Sequence, residues 1–161
     1  MSEQHGEIDF ALAAFHVDGD WQLQEMAAPA FESVDSLSHA LRQVSGPDGA
    51  VGMVAVDEDF FVLVRVAGPT TRVLLSDVTA AEEWELAHSV VEFLGLPAPE
   101  DDDVEVPAGD LDLLGDLGLH AFDMGALLDD VELYPDDVLS DIASRLGFGD
   151  LFDDAVGLTS A

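Results

Sequence analysis

The sequence predicts an α+β fold: an N-terminal ββαβββα unit whose antiparallel sheet carries helices on one face, followed by a small C-terminal all-helical unit. Three observations predict it. Apolar runs of strand length alternate with Asp, Gly and Pro turn signals as far as Ser76. Two apolar stripes at helical spacing, each closed by a glycine, stand among and after those runs. From Asp110 onward the apolar spacing is helical throughout.

Taken in order, Ile8 to Val17 is an almost continuous apolar run, the pattern of a strand covered on both faces, and Asp18-Gly19-Asp20 ends it. Trp21 to Met26 alternates, with Trp21 and Leu23 against Gln22 and Gln24, so the two runs read as a hairpin. Asp35 is placed to cap a short helix with Leu37, Ala40, Leu41 and Val44 on one face, and Gly46-Pro47 stops it. Ala50 to Val56 and Phe60 to Ala67, joined by Asp57-Glu58-Asp59, then form an antiparallel meander with Thr71 to Ser76, which follows Gly68-Pro69. Thr79-Ala80-Ala81-Glu82 reads as a capping box that opens a helix with the stripe Ala80, Trp84, Ala87, Val91 and Leu94, and Gly95 ends it. Helices are thus expected on one sheet face. The other face is left as a candidate binding surface, and Phe60-Phe61, one ring per face, offers a candidate contact residue.

This sheet domain is assigned to residues 6–95. Residues 96–109 read as an acidic, proline-rich linker, with Pro97, Pro99 and Pro107 around Glu100-Asp101-Asp102-Asp103 and Glu105. Residues 110–157 form the helical unit. Asp110 is placed to cap a first short helix with the stripe Leu111, Leu114 and Leu117, and Phe122, Met124, Leu127 and Leu128 form a second stripe. Pro135 suits the first turn of a third helix bearing Val138, Leu139, Ile142 and Leu146; Arg145 complements its dipole and Gly147 ends it. Asp150 to Val156 adds one more turn. A unit of this size is marginal alone and is expected to dock on the sheet or on a partner.

Charge sets the outer chemistry. Thirty-five acids face four arginines and no lysine, a net charge of −31, in a chain that is 48% hydrophobic. That combination points to a folded body with an anionic surface, since a disordered acidic tail would be poor in Val, Leu and Phe. Direct nucleic-acid binding and anionic membranes are disfavoured, and basic proteins are attracted. Residues 95–161 carry 18 of the acids against one arginine, so the linker and helical unit are the denser anion. The candidate partner-binding residues are Asp101, Asp102, Asp103, Asp110, Asp112, Asp116, Asp129, Asp130, Asp136 and Asp137. Arg65 and Arg72, each within a strand, are candidates either for structural ion pairs or for holding an anion.

Several chemistries lack their residues. Without cysteine there is no disulfide, thiolate site or cysteine nucleophile. His5-Gly6-Glu7 has half of a zinc-deaminase motif, whose P-C-x-x-C half is missing, and no histidine pair has helical metal-ligand spacing. Asp110, Asp112 and Gly115 match the start of an EF-hand loop, yet Leu114 and Ala121 stand where oxygen ligands are required. Phosphate loops and nucleophile elbows are absent. No apolar run is long enough to cross a membrane and the N-terminus lacks a basic signal region, so a cytoplasmic protein without cofactor or metal is expected.

Gly109-Asp110-Leu111-Asp112-Leu113-Leu114-Gly115-Asp116-Leu117-Gly118, Leu127-Leu128-Asp129-Asp130, Tyr134-Pro135-Asp136 and Ala143-Ser144-Arg145-Leu146-Gly147-Phe148-Gly149 together resemble the bacterial tRNA adenosine deaminase-associated protein family. Asp59-Phe60-Phe61-Val62-Leu63-Val64-Arg65-Val66 and Val73-Leu74-Leu75-Ser76-Asp77 resemble its strand region, so the likeness spans most of residues 8–155. The family takes its name from genes encoded beside the zinc enzyme that makes wobble inosine in tRNA, and it has no catalytic residues to carry over. The resemblance and the −31 charge together lead to the expectation of a non-enzymatic accessory or regulatory protein that contacts a basic partner, the deaminase being the candidate the resemblance implies. Two other functions are weighed beside it: a nucleic-acid mimic occupying a basic groove, and an enzyme with an unrecognised carboxylate site. The oligomeric state is not legible.

Overall fold

The structure, a computed structural model, describes residues 8–17, 19–25, 33–44, 49–56, 60–68, 70–77, 84–95, 108–115, 118–129 and 135–156. Strands β1 (Ile8–Val17) and β2 (Asp20–Glu25) precede helix α1 (Val34–Val44). Strands β3 (Ala50–Val56), β4 (Phe60–Ala67) and β5 (Thr70–Leu75) precede α2 (Glu85–Leu94). A two-residue strand β6 (Ala108–Gly109) leads to α3 (Ala121–Asp129), α4 (Pro135–Leu146) and α5 (Gly149–Val156). The six strands form one antiparallel sheet in the order β2-β1-β3-β4-β5-β6. The α+β class is the one the apolar pattern predicts, with β6 added from the stretch read as linker and without the short helix expected from Asp110.

Each central strand alternates between two apolar layers. On one face Ala11, Ala13, Val54, Phe60, Val62, Val64, Val73 and Leu75 pack against α1 through Leu37 and Leu41, and against α2 through Leu86, Val90 and Val91. Helix α1 comes so close that a Cβ on Gly52 would stand 3.0 Å from a Leu41 methyl, which suits a glycine at the centre of β3. On the other face Leu12, Ala14, Val51, Met53, Ala55, Phe61, Leu63 and Leu74 share a core with Leu113, Leu114, Leu119, Met124, Leu139, Ile142 and Phe152.

Both faces are therefore covered, and the expected open face is not open. Helices α3 to α5 dock on it, where about 25 cal/mol per Å² of buried apolar area holds a unit too small to persist alone. Phe60 and Phe61 are 0% and 2% exposed, one in each layer, so neither is a surface contact. The near-continuous apolar runs of β1, β3 and β4 have this cause: both sides of each strand are inside.

At the open end of the sheet, edge strand β2 is stitched to the helices by Trp21. Its indole Nε1 donates to the Leu146 carbonyl at 3.2 Å, an acceptor left over at the C-terminus of α4. Its ring lies 4.5 Å from Phe148 and 3.9 Å from His16, centroid to centroid. Gly147, at φ 109, makes the left-handed turn between α4 and α5, and Ser140 Oγ donates to Asp153 Oδ1 across the two helices at 2.7 Å.

Helix ends depart from expectation in two places, at α1 and at residues 111–114. Ser33, not Asp35, caps α1: its Oγ accepts from the Ser36 amide at 3.1 Å, and Asp35 sits in the first turn. Trp84 has extended backbone (φ −123, ψ 129) and is the N-cap of α2 (Glu85–Leu94); the capping box read at Thr79-Ala80-Ala81-Glu82 lies outside the described residues. Residues 111–114 form turns rather than the short helix expected there. Among the described residues no helix is long and apolar enough to cross a membrane.

If Phe60 and Phe61 anchor separate layers, Phe60→Ala and Phe61→Ala should each lower the unfolding free energy by roughly 3–5 kcal/mol in urea denaturation. A cost below about 1 kcal/mol for either would place that ring outside the core.

Candidate functional site: an arginine clasp and the acidic turn it holds

Four arginines serve a chain of 35 acids, so where the arginines go decides which acids are left outward. Arg65 on β4 and Arg72 on β5 are directly opposed across the ladder and share the face that α3 to α5 cover. Arg65 is 4% exposed, the one charged side chain in the buried set of the described residues. A guanidinium cannot shed its charge, so its burial requires acceptors. Its Nη1 donates to the Leu113 carbonyl at 3.2 Å. Leu113 is itself fully buried, and this contact fixes the height of the turn over the sheet.

The turn is built by its aspartates. The Asp110 amide continues the β6 pairing by donating to the Val73 carbonyl at 2.9 Å. Asp110 Oδ1 accepts from the Asp112 amide at 2.9 Å, an Asx turn, while Asp110 Oδ2 lies 3.6 Å from Arg72 Nε. Asp112 Oδ1 accepts from the Ala121 amide at 3.2 Å, satisfying one of the orphan donors at the start of α3 and setting a negative charge against its dipole. Gly115 leaves room for this: a Cβ there would stand 2.5 Å from Asp112 Oδ1. An unbroken path thus runs from β5 through Arg72, Asp110 and Asp112 to the first residue of α3.

Between the arginines and the turn lies an open cleft of about 370 Å³, lined by Arg65, Ala67, Thr70, Arg72, Asp112 and Leu113. Arg65 also borders a tight gap among Ala14, His16, Trp21, Gly49, Ala50 and Val51 that has no room for a water molecule. The cleft brings two cations together with one carboxylate, and Asp110 stands beside Arg72. Its charges are largely balanced from within, as expected for a structural clasp. Among the described residues no three His, Asp or Glu side chains gather as a metal-holding group.

The other acids read as candidates are dispersed. Asp137 is exposed in the first turn of α4. Asp129 closes α3 and Asp136 is the second residue of α4, both described in backbone only. Asp101, Asp102, Asp103, Asp116 and Asp130 lie outside the described residues, as does His5-Gly6-Glu7. Sequence reasoning missed the Asp112–Ala121 contact, whose nine-residue separation has no periodic signature. It also placed Phe122 in an apolar stripe, whereas Phe122 is 87% exposed and Met124 and Leu127 are the buried residues of α3.

A family model described as "Rv3753c-like tRNA adenosine deaminase-associated protein" matches residues 9–149. A relative, Protein Rv3753c of Mycobacterium tuberculosis (strain ATCC 25618 / H37Rv), is 38% identical over 144 residues, covering 88% of this chain and 83% of the relative. No solved structure matches the chain.

The clasp makes an asymmetric prediction. Arg65→Met keeps the stem but leaves the buried Leu113 carbonyl without this donor, and should cost about 1.5–3 kcal/mol in denaturant unfolding. Arg72→Met removes a contact whose side chains are 46% and 39% exposed, and should cost less than about 1 kcal/mol. Equal costs would remove Arg65 from its central position.

Proposed function

Because the chain belongs to the Rv3753c-like tRNA adenosine deaminase-associated protein family, we propose that it is a non-catalytic accessory protein whose anionic surface binds a basic partner, the tRNA adenosine deaminase being the partner that the family's name suggests. One observation carries the electrostatic part. All four arginines are engaged within the fold: Arg42 donates to the Gly68 carbonyl at 2.8 Å and to Thr71, Arg65 to Leu113, Arg72 faces Asp110, and Arg145 Nε meets Asp141 Oδ1 at 2.9 Å. Few cations are then left to offset the 35 acids at the surface. Such a surface steers a basic protein toward it and repels nucleic acid.

The acids read as contact residues fall into two groups under this proposal. Asp110 and Asp112 hold the turn, and their contribution to binding is long-range. Asp137 is exposed, and by sequence the acids are densest after residue 94, where 18 acids meet one arginine.

The test is a binding titration with the tRNA adenosine deaminase at about 50 mM and about 500 mM salt. The proposal expects association at the lower ionic strength that weakens about ten-fold or more at the higher, where exposed charges more than a few Å apart are screened. No association at any ionic strength would remove the deaminase as a direct partner. Competitive displacement of this protein from the enzyme by tRNA would instead assign it to the enzyme's basic groove as a nucleic-acid mimic.

A further inference from the structure

Among the described residues, three of the four exposed large apolar side chains are ordinary: Val17, Phe93 and Leu151 are 45%, 44% and 43% exposed, each half-covered by its own fold. Phe122 is 87% exposed, so nearly its whole ring stands in water. Isolated exposed hydrophobics need no explanation by themselves. This one differs in how it is held and in what surrounds it.

Helix α3 turns Met124 and Leu127 into the core and leaves Phe122 and Ala126, four residues apart and so on one face, outside. Phe122 is the second residue of that helix, and the amide just before it, on Ala121, is held by Asp112 Oδ1 at 3.2 Å. The ring's mounting is therefore fixed by the clasp. The same contact puts a carboxylate one residue from the ring, and Asp123 follows it directly. An exposed aromatic ring on a docked helix, with a carboxylate held at the preceding residue and another following it, has the make-up of an interface hot spot.

Resting on the proposed reading that the partner is a basic protein, we infer that Phe122 is the apolar anchor of that interaction, seating in a pocket rimmed by lysine or arginine side chains. Charge complementarity selects this occupant. A second copy would bring −31 against −31, and a nucleic acid would bring phosphates against the same carboxylates. The acids supply steering and salt dependence, and the ring supplies a salt-independent share of the affinity.

The experiment compares the full chain with its Phe122→Ala and Phe122→Trp forms, binding the tRNA adenosine deaminase at two ionic strengths, with thermal melts as the folding control. Both variants should melt within a few degrees of the parent, because the side chain is exposed. Phe122→Ala should weaken binding about ten-fold or more at both ionic strengths without changing the slope against salt, and Phe122→Trp should restore most of the loss. If the parent binds and Phe122→Ala binds equally well, the anchor is overturned while the functional reading stands. Should the parent fail to bind at any salt, that reading falls and the anchor with it. A dimer of the free parent that Phe122→Ala converts to monomer would assign the ring to a second copy and overturn the inference.

Discussion

One buried guanidinium organises the second half of this molecule. Arg65 lies where the alternation of β4 calls for a core residue, between Leu63 and the sheet end, and is 4% exposed. Hydrophobic cover there would have needed no partner. A permanent cation does, because an unsatisfied ion in a low-dielectric layer is among the costliest groups a fold can hold. The Leu113 carbonyl meets part of that demand, and the backbone around it must then take a set height over the sheet. Asp110 and Asp112 follow with their own contacts, and α3 begins where Asp112 reaches the Ala121 amide. Apolar burial supplies most of the free energy of docking; the clasp supplies its register.

The same clasp shapes the electrostatics. With every arginine engaged in an internal contact, the surface keeps its carboxylates and their mutual repulsion. Repulsion of this kind opposes compaction, and two apolar layers on one sheet offset it. A smaller core would not. The dense anion after residue 94 is tolerated because its helices share the sheet's second layer rather than standing apart.

Much of the fold was legible, for identifiable reasons. Strand positions followed from apolar runs bounded by Asp-Gly and Gly-Pro signals, and α4 from Pro135 and Gly147 at its ends. What failed was the covering of the second face. The runs at Ile8 and Phe60 already said that both sides of those strands are apolar, but periodicity alone does not tell which distant segment supplies the cover. The turn at 110–115 was misread as a helix since Leu111, Leu114 and Leu117 have helical spacing; the Asx turn of Asp110 and the close fit of Gly115 against Asp112 override it. Phe122 was misread for the same reason, one residue of helical phase separating an inward ring from an outward one. Arg65 and Arg72 were legible as unusual strand cations, but their partners lie some forty residues away and left no local trace.

Local hydrogen exchange in Arg65→Met measured against the parent protein tests most directly whether the buried guanidinium organises the turn and α3. Protection should fall selectively across residues 110–128, with β1, β3 and α1 close to their parent rates. Protection lost uniformly over the whole chain, or unchanged across that stretch, would contradict it.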